Sequence, residues 1–413
     1  MPILVQLGQC GNQIGSALCR QLYDEGDRTT FFHRSPSGQD MARAILVDME
    51  PKVLSQVVNQ RHFKYDPSNV ISSSSGSANN WAHGYNVHGP KQVEHIVRRV
   101  QKVADQEGAI NDGILVTLAL AGGTGSGLGT RVCEALREHF GRSMPILVHA
   151  VWPYESGEIV TQNYNIVLAL AKLYECVDGI WMHSNQVAHE ICRTRFNLKK
   201  VTFSDINRLV AGDLASCLLP AVNKFAANST MPLFSIISDL CAHPAYKLLA
   251  SRSLPQYAQK SFQNYSTDLL IKYMHQLSRT GQFNEDKGNL NFKNCTNHAL
   301  ARSVYYRGQG AAIDMTKLDD DFAPMLDGRL RFHPYHSDVE FGHFSHHLTT
   351  LSNDQSWVSL IDATVEQSWS MYCNRAYIHN YAKHGIEQAD FCAAFAQTEQ
   401  IIHSYRALSD FSL

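Results

Sequence analysis

With 413 residues, the chain is too long for one ordinary core, because single cores stop growing at about 250–300 residues; at least one domain boundary is expected. Apolar residues make up 44% and charged residues 18%, close to the soluble globular average, which excludes disordered and fibrous classes. A formal charge of -2 gives no global basic field for nucleic acid or an anionic membrane, so any phosphate recognition has to be local.

The first half alternates short β-branched runs with longer helical patterns, the order of a parallel sheet covered by helices on both faces. Strands are expected at 3–7, 44–47, 113–119, 144–151 and 180–183, and helices at 12–24, 92–104 and 128–140. This predicts a doubly wound α/β fold. A strong helix follows at 204–219, with Ser204 as its N-cap and Ile206, Leu209, Val210, Leu214 and Cys217 in one apolar stripe, and it reads as a connector between domains. The pattern weakens from 223 to 297, then offers a strand at 303–307. Helices are expected at 368–383 and 387–408, with Gly385 supplying a left-handed cap between them.

The ten cysteines include no CxxC pair, so neither a zinc ribbon nor a dithiol redox motif is indicated. No basic leader and no run of 18 apolar residues occurs, so the expectation is an intracellular chain without membrane insertion.

The most informative segment is Leu120-Ala-Gly-Gly-Thr-Gly-Ser-Gly-Leu-Gly-Thr130, a glycine-rich turn between an apolar strand and an amphipathic helix. Glycines let the backbone approach a ligand closely, converging N–H groups face one point, and the helix N-terminus adds partial positive charge; phosphate is the expected guest. Thr124 and Ser126 carry hydroxyls that can donate to the same oxygens. A ligand-free tight turn is the plain alternative, but five glycines between Gly122 and Gly129 exceed what one turn needs. Bulk at Gly125 is expected to abolish binding while sparing the fold. No Gly-Lys dipeptide exists in the chain, which excludes a P-loop, and a dinucleotide fingerprint would occupy the first strand–helix turn. That first turn instead reads Gly8-Gln-Cys-Gly-Asn-Gln13. Together the two loops form a cradle at the carboxyl ends of neighbouring strands, where ligands of open α/β sheets bind.

Gly8–Gln13 with Ala121-Gly-Gly-Thr-Gly-Ser-Gly127 resembles the paired nucleotide loops of the tubulin superfamily, the second a one-residue variant of its signature. Residues 44–53, 79–90, 152–154, 162–165, 203–207 and 376–387 are more similar to its delta branch than to the alpha, beta or gamma types. The resemblance implies a tubulin-like doubly wound GTPase domain at 1–203, a connector helix at 204–220, a second α/β domain at 221–364 and a C-terminal helical hairpin at 365–413. It also implies GTP or GDP with Mg²⁺ as cofactors. By position, Gln9, Cys10 and Gln13 would surround the phosphates and sugar, and Gly122, Gly123, Thr124, Gly125 and Ser126 would wrap the phosphates. Asp48 and Glu50 would stand near the γ-phosphate, Glu50 at its magnesium, with Ala78 and Asn79 on the loop that senses that phosphate. Glu158 would contact the ribose. Asn185 and Asn207 would read guanine, with Phe203 stacked on the base; an amide offers donor and acceptor side by side and a ring covers the base's face. Each also has a plain structural reading: Asp48 and Asn185 as helix caps, Phe203 as core.

As partners, the resemblance implies other tubulins through longitudinal or lateral contacts. Its implied place is the cytoplasm and cytoskeleton, at centrioles, basal bodies and cilia or flagella. Departures from the family favour an alternative, a non-polymerising adaptor with a structural nucleotide or an empty pocket. Ser235 falls where alpha-tubulin supplies an acid to a neighbour's nucleotide, Asp239 lies one helical turn on, and no acidic tail ends the sequence. His333, His336, His343, His346 and His347 have no metal-site spacing and are expected in a polar surface loop.

Overall fold

The computed structural model describes residues 1–105, 112–157, 159–223, 231–256, 267–280, 297–308 and 331–412. Its strands are β1 (Pro2–Leu7), β2 (Phe32–Arg34), β3 (Asp40–Ala42), β4 (Ala44–Asp48), β5 (Val70–Ser72), β6 (Gly113–Ala119), β7 (Ile146–Trp152), β8 (Gly179–Ser184), β9 (Val222–Asn223), β10 (Leu248–Leu254), β11 (Ala299–Gly308), β12 (Arg331–Ser337) and β13 (His346–Asp354). Its helices are α1 (Gly8–Asp24), α2 (Pro51–Val57), α3 (Trp81–His83), α4 (Gly89–Asp105), α5 (Gly129–Phe140), α6 (Gln162–Cys176), α7 (Asn185–Thr194), α8 (Phe203–Leu218), α9 (Pro232–Leu240), α10 (Thr267–Thr280), α11 (Val358–Cys373), α12 (Ile378–Ala382) and α13 (Gln388–Arg406).

Eleven strands form one sheet in the order β5-β4-β1-β6-β7-β8-β10-β13-β11-β12-β9. From β5 to β10 all neighbours are parallel, and β13 then pairs antiparallel with both β10 and β11. Every residue of β1, β4 and β7 is buried; strands covered on both faces read as continuous apolar runs rather than alternation. On one face, Val100 of α4, Leu136 of α5, Leu170 of α6 and Phe395 of α13 pack with Val116 and Val148. On the other, Leu18 of α1 and Leu214 of α8 pack with Leu4, Leu147 and Leu249. Chain order reverses between β1 and β6, which places a topological switch point there.

The connector helix starts earlier than the sequence reading has it. Thr202, not Ser204, is the N-cap, closing a capping box in which its side chain accepts from Asp205 N and the Asp205 side chain accepts from Thr202 N. Ser204 sits inside the first turn. Near the C-terminus, the helix expected at 368–383 is broken: α11 ends at Cys373, and Arg375 and Tyr377 take left-handed backbone, φ 54 and 59. Ala376 N bonds Met371 O and Arg375 N bonds Tyr372 O, so the last turn folds back on itself and α12 starts in a new direction. Gly385 has φ 79, as its cap role requires.

The histidines expected in a surface loop lie mostly on strands instead. His333 and His336 are on β12, and His346 and His347 on β13, where His347 is buried against the Phe341 ring at 4.7 Å. Burial lowers His347 from 6.5 to about 4, Asp213 opposing and Arg307 reinforcing the shift. Its folded value lies below its unfolded one, so the stability it contributes is complete above pH 6.5 and is lost as pH falls towards 4. The melting temperature is therefore expected to fall between pH 7 and 5, and His347→Gln to flatten that slope; a slope unchanged in the variant rules this histidine out as its source.

Candidate functional site

Six adjacent parallel strands end along one edge, and the loops that leave them carry the candidate residues. At the switch point, β1 passes directly into α1 at Gly8, whose φ of 72 is left-handed. A Cβ there would stand 3.0 Å from Gly125 N and 3.5 Å from Thr124 Cβ. The two glycine loops therefore touch. Gly11 presses on β6, since a Cβ would lie 2.2 Å from Thr117 O, and Thr117 Oγ1 donates to Gly11 O at 3.0 Å. Asn12, fully buried, donates through Nδ2 to Gly8 O at 2.8 Å and Val47 O at 2.9 Å, tying the start of α1 to the end of β4.

The second loop leaves β6 and turns through a wide helical turn at Thr124–Leu128 before α5. Two helix N-termini, of α1 and α5, thus face one edge and lend it positive potential. Gly122 is the open position: a Cβ there would meet only Asn79 Oδ1, at 3.8 Å. Gly123 and Gly125 are closed, with Asn80 N at 2.7 Å and Ala119 O at 2.8 Å respectively. Ser126 is fully buried and its hydroxyl donates to Gly122 O, so the hydroxyl expected to reach phosphate is engaged within the loop. Thr124 Oγ1 is 2.9 Å from Ser77 Oγ and bridges to the loop after β5.

That third loop holds Ala78 and Asn79 in left-handed backbone, φ 48 and 50. Such conformations in non-glycine residues persist where the surroundings enforce them. Glu50 leans over the same loop, its Oε1 2.4 Å from where a Gly76 Cβ would stand. Asp48 is buried at the end of β4, and its Oδ2 has no hydrogen-bond partner. Burial raises its carboxyl to about 6; the Glu50 and Met49 N–H groups oppose this and the charge of Glu50 adds to it. Asp48 caps nothing: α2 begins after Glu50 without a side-chain cap. A buried, unpartnered carboxylate oxygen beside an acidic neighbour suits a hard cation that takes oxygen ligands. Cys10 is partly buried, and burial pushes its thiol up to about 12, which excludes a thiolate role.

The base-side candidates lie further along the same edge. Asn185 opens α7, but Ser184 is its cap, accepting from Val187 N at 3.4 Å. Phe203 opens α8, is 61% exposed, and meets the Tyr154 ring edge-on at 6.4 Å; it is not core. Asn207 follows one turn later on the same face. The side chains of Gln9, Gln13, Asn79, Asn185 and Asn207 form no hydrogen bond to the other described residues, which leaves their amides available. Glu158 lies outside the described residues. Sequence reasoning missed Asn12, Ser77, Tyr154 and Asn165 as contributors. Tyr154 and Asn165 stand in segments that carried the family resemblance, but nothing in their spacing marked them.

This edge, with glycine loops at the switch point and amides and a ring to one side, is the site of a nucleotide-binding α/β protein. The chain matches the model of the Tubulin/FtsZ family, GTPase domain, over residues 2–193. It is 32% identical over 450 residues to the tubulin delta chain of Canis lupus familiaris, covering 98% of this chain and 99% of that one. The tubulin delta chain of Homo sapiens matches at 32% over 452 residues with the same coverage, whereas the tubulin beta-1 chain of Geotrichum candidum matches at 23% over 441 residues, 98% of this chain and 94% of that one. The chain belongs to the tubulin family and is more similar to these delta chains than to the beta chain. A guanine nucleotide is accordingly its ligand class.

Proposed function

We propose that this chain is a delta-type tubulin that holds GTP across the β1/β6 switch point. The observation that carries the reading is the close approach of Gly8 to Gly125 and of Gly122 to Asn79, with Gly122 alone among Gly122, Gly123 and Gly125 having room for a side chain. Gln9, Cys10 and Gln13 line the α1 side; Asn185, Phe203 and Asn207 take the guanine. Asp48 and Glu50 would hold Mg²⁺, which when bound neutralises charge on the phosphates. Other tubulins are the partners, met longitudinally or laterally, and the cytoskeleton of centrioles, basal bodies or cilia is the setting.

Catalysis in a neighbouring subunit is a separate matter. Asp239, the acid nearest the expected position, accepts from Tyr335 OH at 2.5 Å and lies 3.5 Å from His333 Nδ1, and Ser235 is buried. A carboxylate held by two groups of its own chain is poorly placed to orient water for another. This favours, as the second reading, a tubulin-fold adaptor that keeps its nucleotide.

The test is to denature the purified protein, identify the released nucleotide by chromatography, and follow phosphate release from added GTP with and without alpha/beta-tubulin. Released GTP or GDP with slow turnover supports the GTP-binding reading, and turnover that alpha/beta-tubulin leaves unchanged supports the adaptor. A protein that carries no guanine nucleotide and takes up none ends both.

A further inference from the structure

Asn165 is fully buried near the start of α6, and no local spacing in the sequence marks its role. Its amide uses all four of its hydrogen-bonding positions. Nδ2 donates to Ala121 O at 2.6 Å and Asn79 O at 2.9 Å. Oδ1 accepts from Trp81 N at 2.9 Å and from Tyr381 OH at 2.7 Å. Three of these bonds go to backbone of the two phosphate-side loops, and the fourth goes to α12, more than two hundred residues away, at a separation of 216.

The geometry at the loops follows from peptide planarity. A trans peptide directs its N–H opposite to its C=O. Drawing Ala121 O towards Asn165 therefore turns the Gly122 N–H away from it, at the one position of the loop where a Cβ finds open space. Holding Asn79 O and Trp81 N similarly fixes the chain on both sides of Asn80, just after the left-handed pair Ala78 and Asn79. A side chain that bonds the backbone on both sides of such a turn, which is closed by Asn80 N to Ser77 O, can help maintain its strained backbone.

The fourth bond makes that hold depend on the C-terminal segment. Tyr381 is fully buried, its ring packed edge-on against Tyr164 at 5.5 Å and against Phe391 of α13 at 5.4 Å. The segment around it is tied to the same loop region twice more: Asn80 Nδ2 donates to Asn380 O at 3.2 Å, and Asn86 Nδ2 donates to His384 O at 2.7 Å. Tyr377, immediately before α12, has left-handed backbone and is 41% exposed. One end of this network lies under the phosphate loops and the other at the surface.

We propose that Asn165 is a positioning residue which, with Tyr381, couples the nucleotide state of the site to the conformation of residues 376–386, so that this C-terminal segment reports whether nucleotide is bound. The inference rests on the GTP-binding reading above. Coupling of this kind is reciprocal: whatever stabilises the 376–386 segment tightens nucleotide binding by the same factor that nucleotide stabilises the segment.

Asn165→Ala would strand several buried groups and threaten the fold, so the test uses Tyr381→Phe, which keeps the ring and deletes the hydroxyl, whose single proton goes to Asn165 Oδ1 at 2.7 Å in preference to the longer contact with Thr161 O at 3.3 Å. Tyr164→Phe is the control, because it deletes the Tyr164 OH bond to Ala376 O at 3.1 Å without touching Asn165. Affinity for a fluorescent GTP analogue and amide hydrogen exchange of the full-length chain are measured with and without nucleotide. Tyr381→Phe is expected to weaken binding roughly five- to tenfold, the size of one buried hydrogen bond, and to abolish the slowing of exchange that nucleotide causes at 376–386 in the wild type. Tyr164→Phe loosens the segment only at Ala376 and leaves every Asn165 bond intact, so it is expected to have a clearly smaller effect on both. Unchanged affinity in Tyr381→Phe, nucleotide-independent exchange at 376–386 in the wild type, or equal effects of the two variants overturns the coupling alone. Failure of the wild type to bind the analogue overturns the GTP-binding reading and the coupling with it.

Discussion

Gly122→Val is expected to lower affinity for GTP by roughly a hundredfold or more while leaving the melting temperature within a few degrees of wild type. Gly122 has no positive φ to lose, and a Cβ built there meets only Asn79 Oδ1 at 3.8 Å, so the folded chain accepts the side chain. The bulk then occupies the space that the phosphates of the proposed nucleotide would take against the loop. Losing two charge-assisted hydrogen bonds at about 1.5–3 kcal/mol each accounts for a hundredfold or greater loss. Gly125 behaves differently. A Cβ there would stand 2.8 Å from Ala119 O and 3.0 Å from Ala119 N, both backbone, so substitution displaces β6 or the loop. The sequence-based expectation that bulk at Gly125 spares the fold is therefore corrected: Gly125→Val should lower stability as well as binding, and Gly122→Val is the variant that separates them. Titration with a fluorescent GTP analogue alongside thermal unfolding decides the matter. Wild-type affinity in a folded Gly122→Val protein would mean that phosphate does not enter this opening.

The parallel strands were legible because their physics is simple. Strands buried on both faces read as near-continuous apolar runs, and β1, β4, β6 and β7 appear as such, each interrupted by one buried polar residue, Gln6, Asp48, Thr117 and His149 respectively. The glycine loops were legible because close backbone approach tolerates little else. Helix α6 escaped notice for the opposite reason. It is buried nearly all round, from Gln162 to Cys176, so it has no polar face to give the 3.6-residue period by which an amphipathic helix is recognised. With α6 went Asn165, whose role arises from contacts to residues 79, 81, 121 and 381. The break after α11 was missed because Arg375 and Tyr377 adopt left-handed backbone without glycine. The histidines of β12 and β13 misled because polarity suggested a loop, whereas Tyr306, Asp239 and Asp338 supply their partners on or beside the sheet.

Asp354→Ala is expected to cost about 3–5 kcal/mol of stability, the range for breaking a buried ion pair by removing one partner. Asp354 is fully buried at the end of β13 and accepts from Arg252 Nη1 at 3.0 Å, Ser352 Oγ at 2.7 Å and Ser356 N at 3.0 Å. Burial alone would raise its carboxyl; the Arg252 charge and the Ser356 and Ser352 hydrogen bonds overcome that and hold it at about 2. Arg302 is buried nearby, its Nε unpartnered, and Asp354 is the charge that offsets its burial. Removing the carboxylate leaves the buried Arg302 and the largely buried Arg252 without this anion among the described residues. Because the folded value lies below 3.8, this contribution is present above about pH 4 and is lost as pH falls towards 2. Denaturant unfolding of Asp354→Ala, Arg252→Ala and the double variant at neutral pH isolates the pair: the double variant should cost less than the sum of the two singles. The pair clamps β10 to β13, where the sheet changes from parallel to antiparallel, well along the sheet from the β1/β6 edge. Under conditions where Asp354→Ala remains folded, GTP affinity should therefore stay at the wild-type value, and a matching loss of affinity would place the antiparallel strands in the nucleotide site's support.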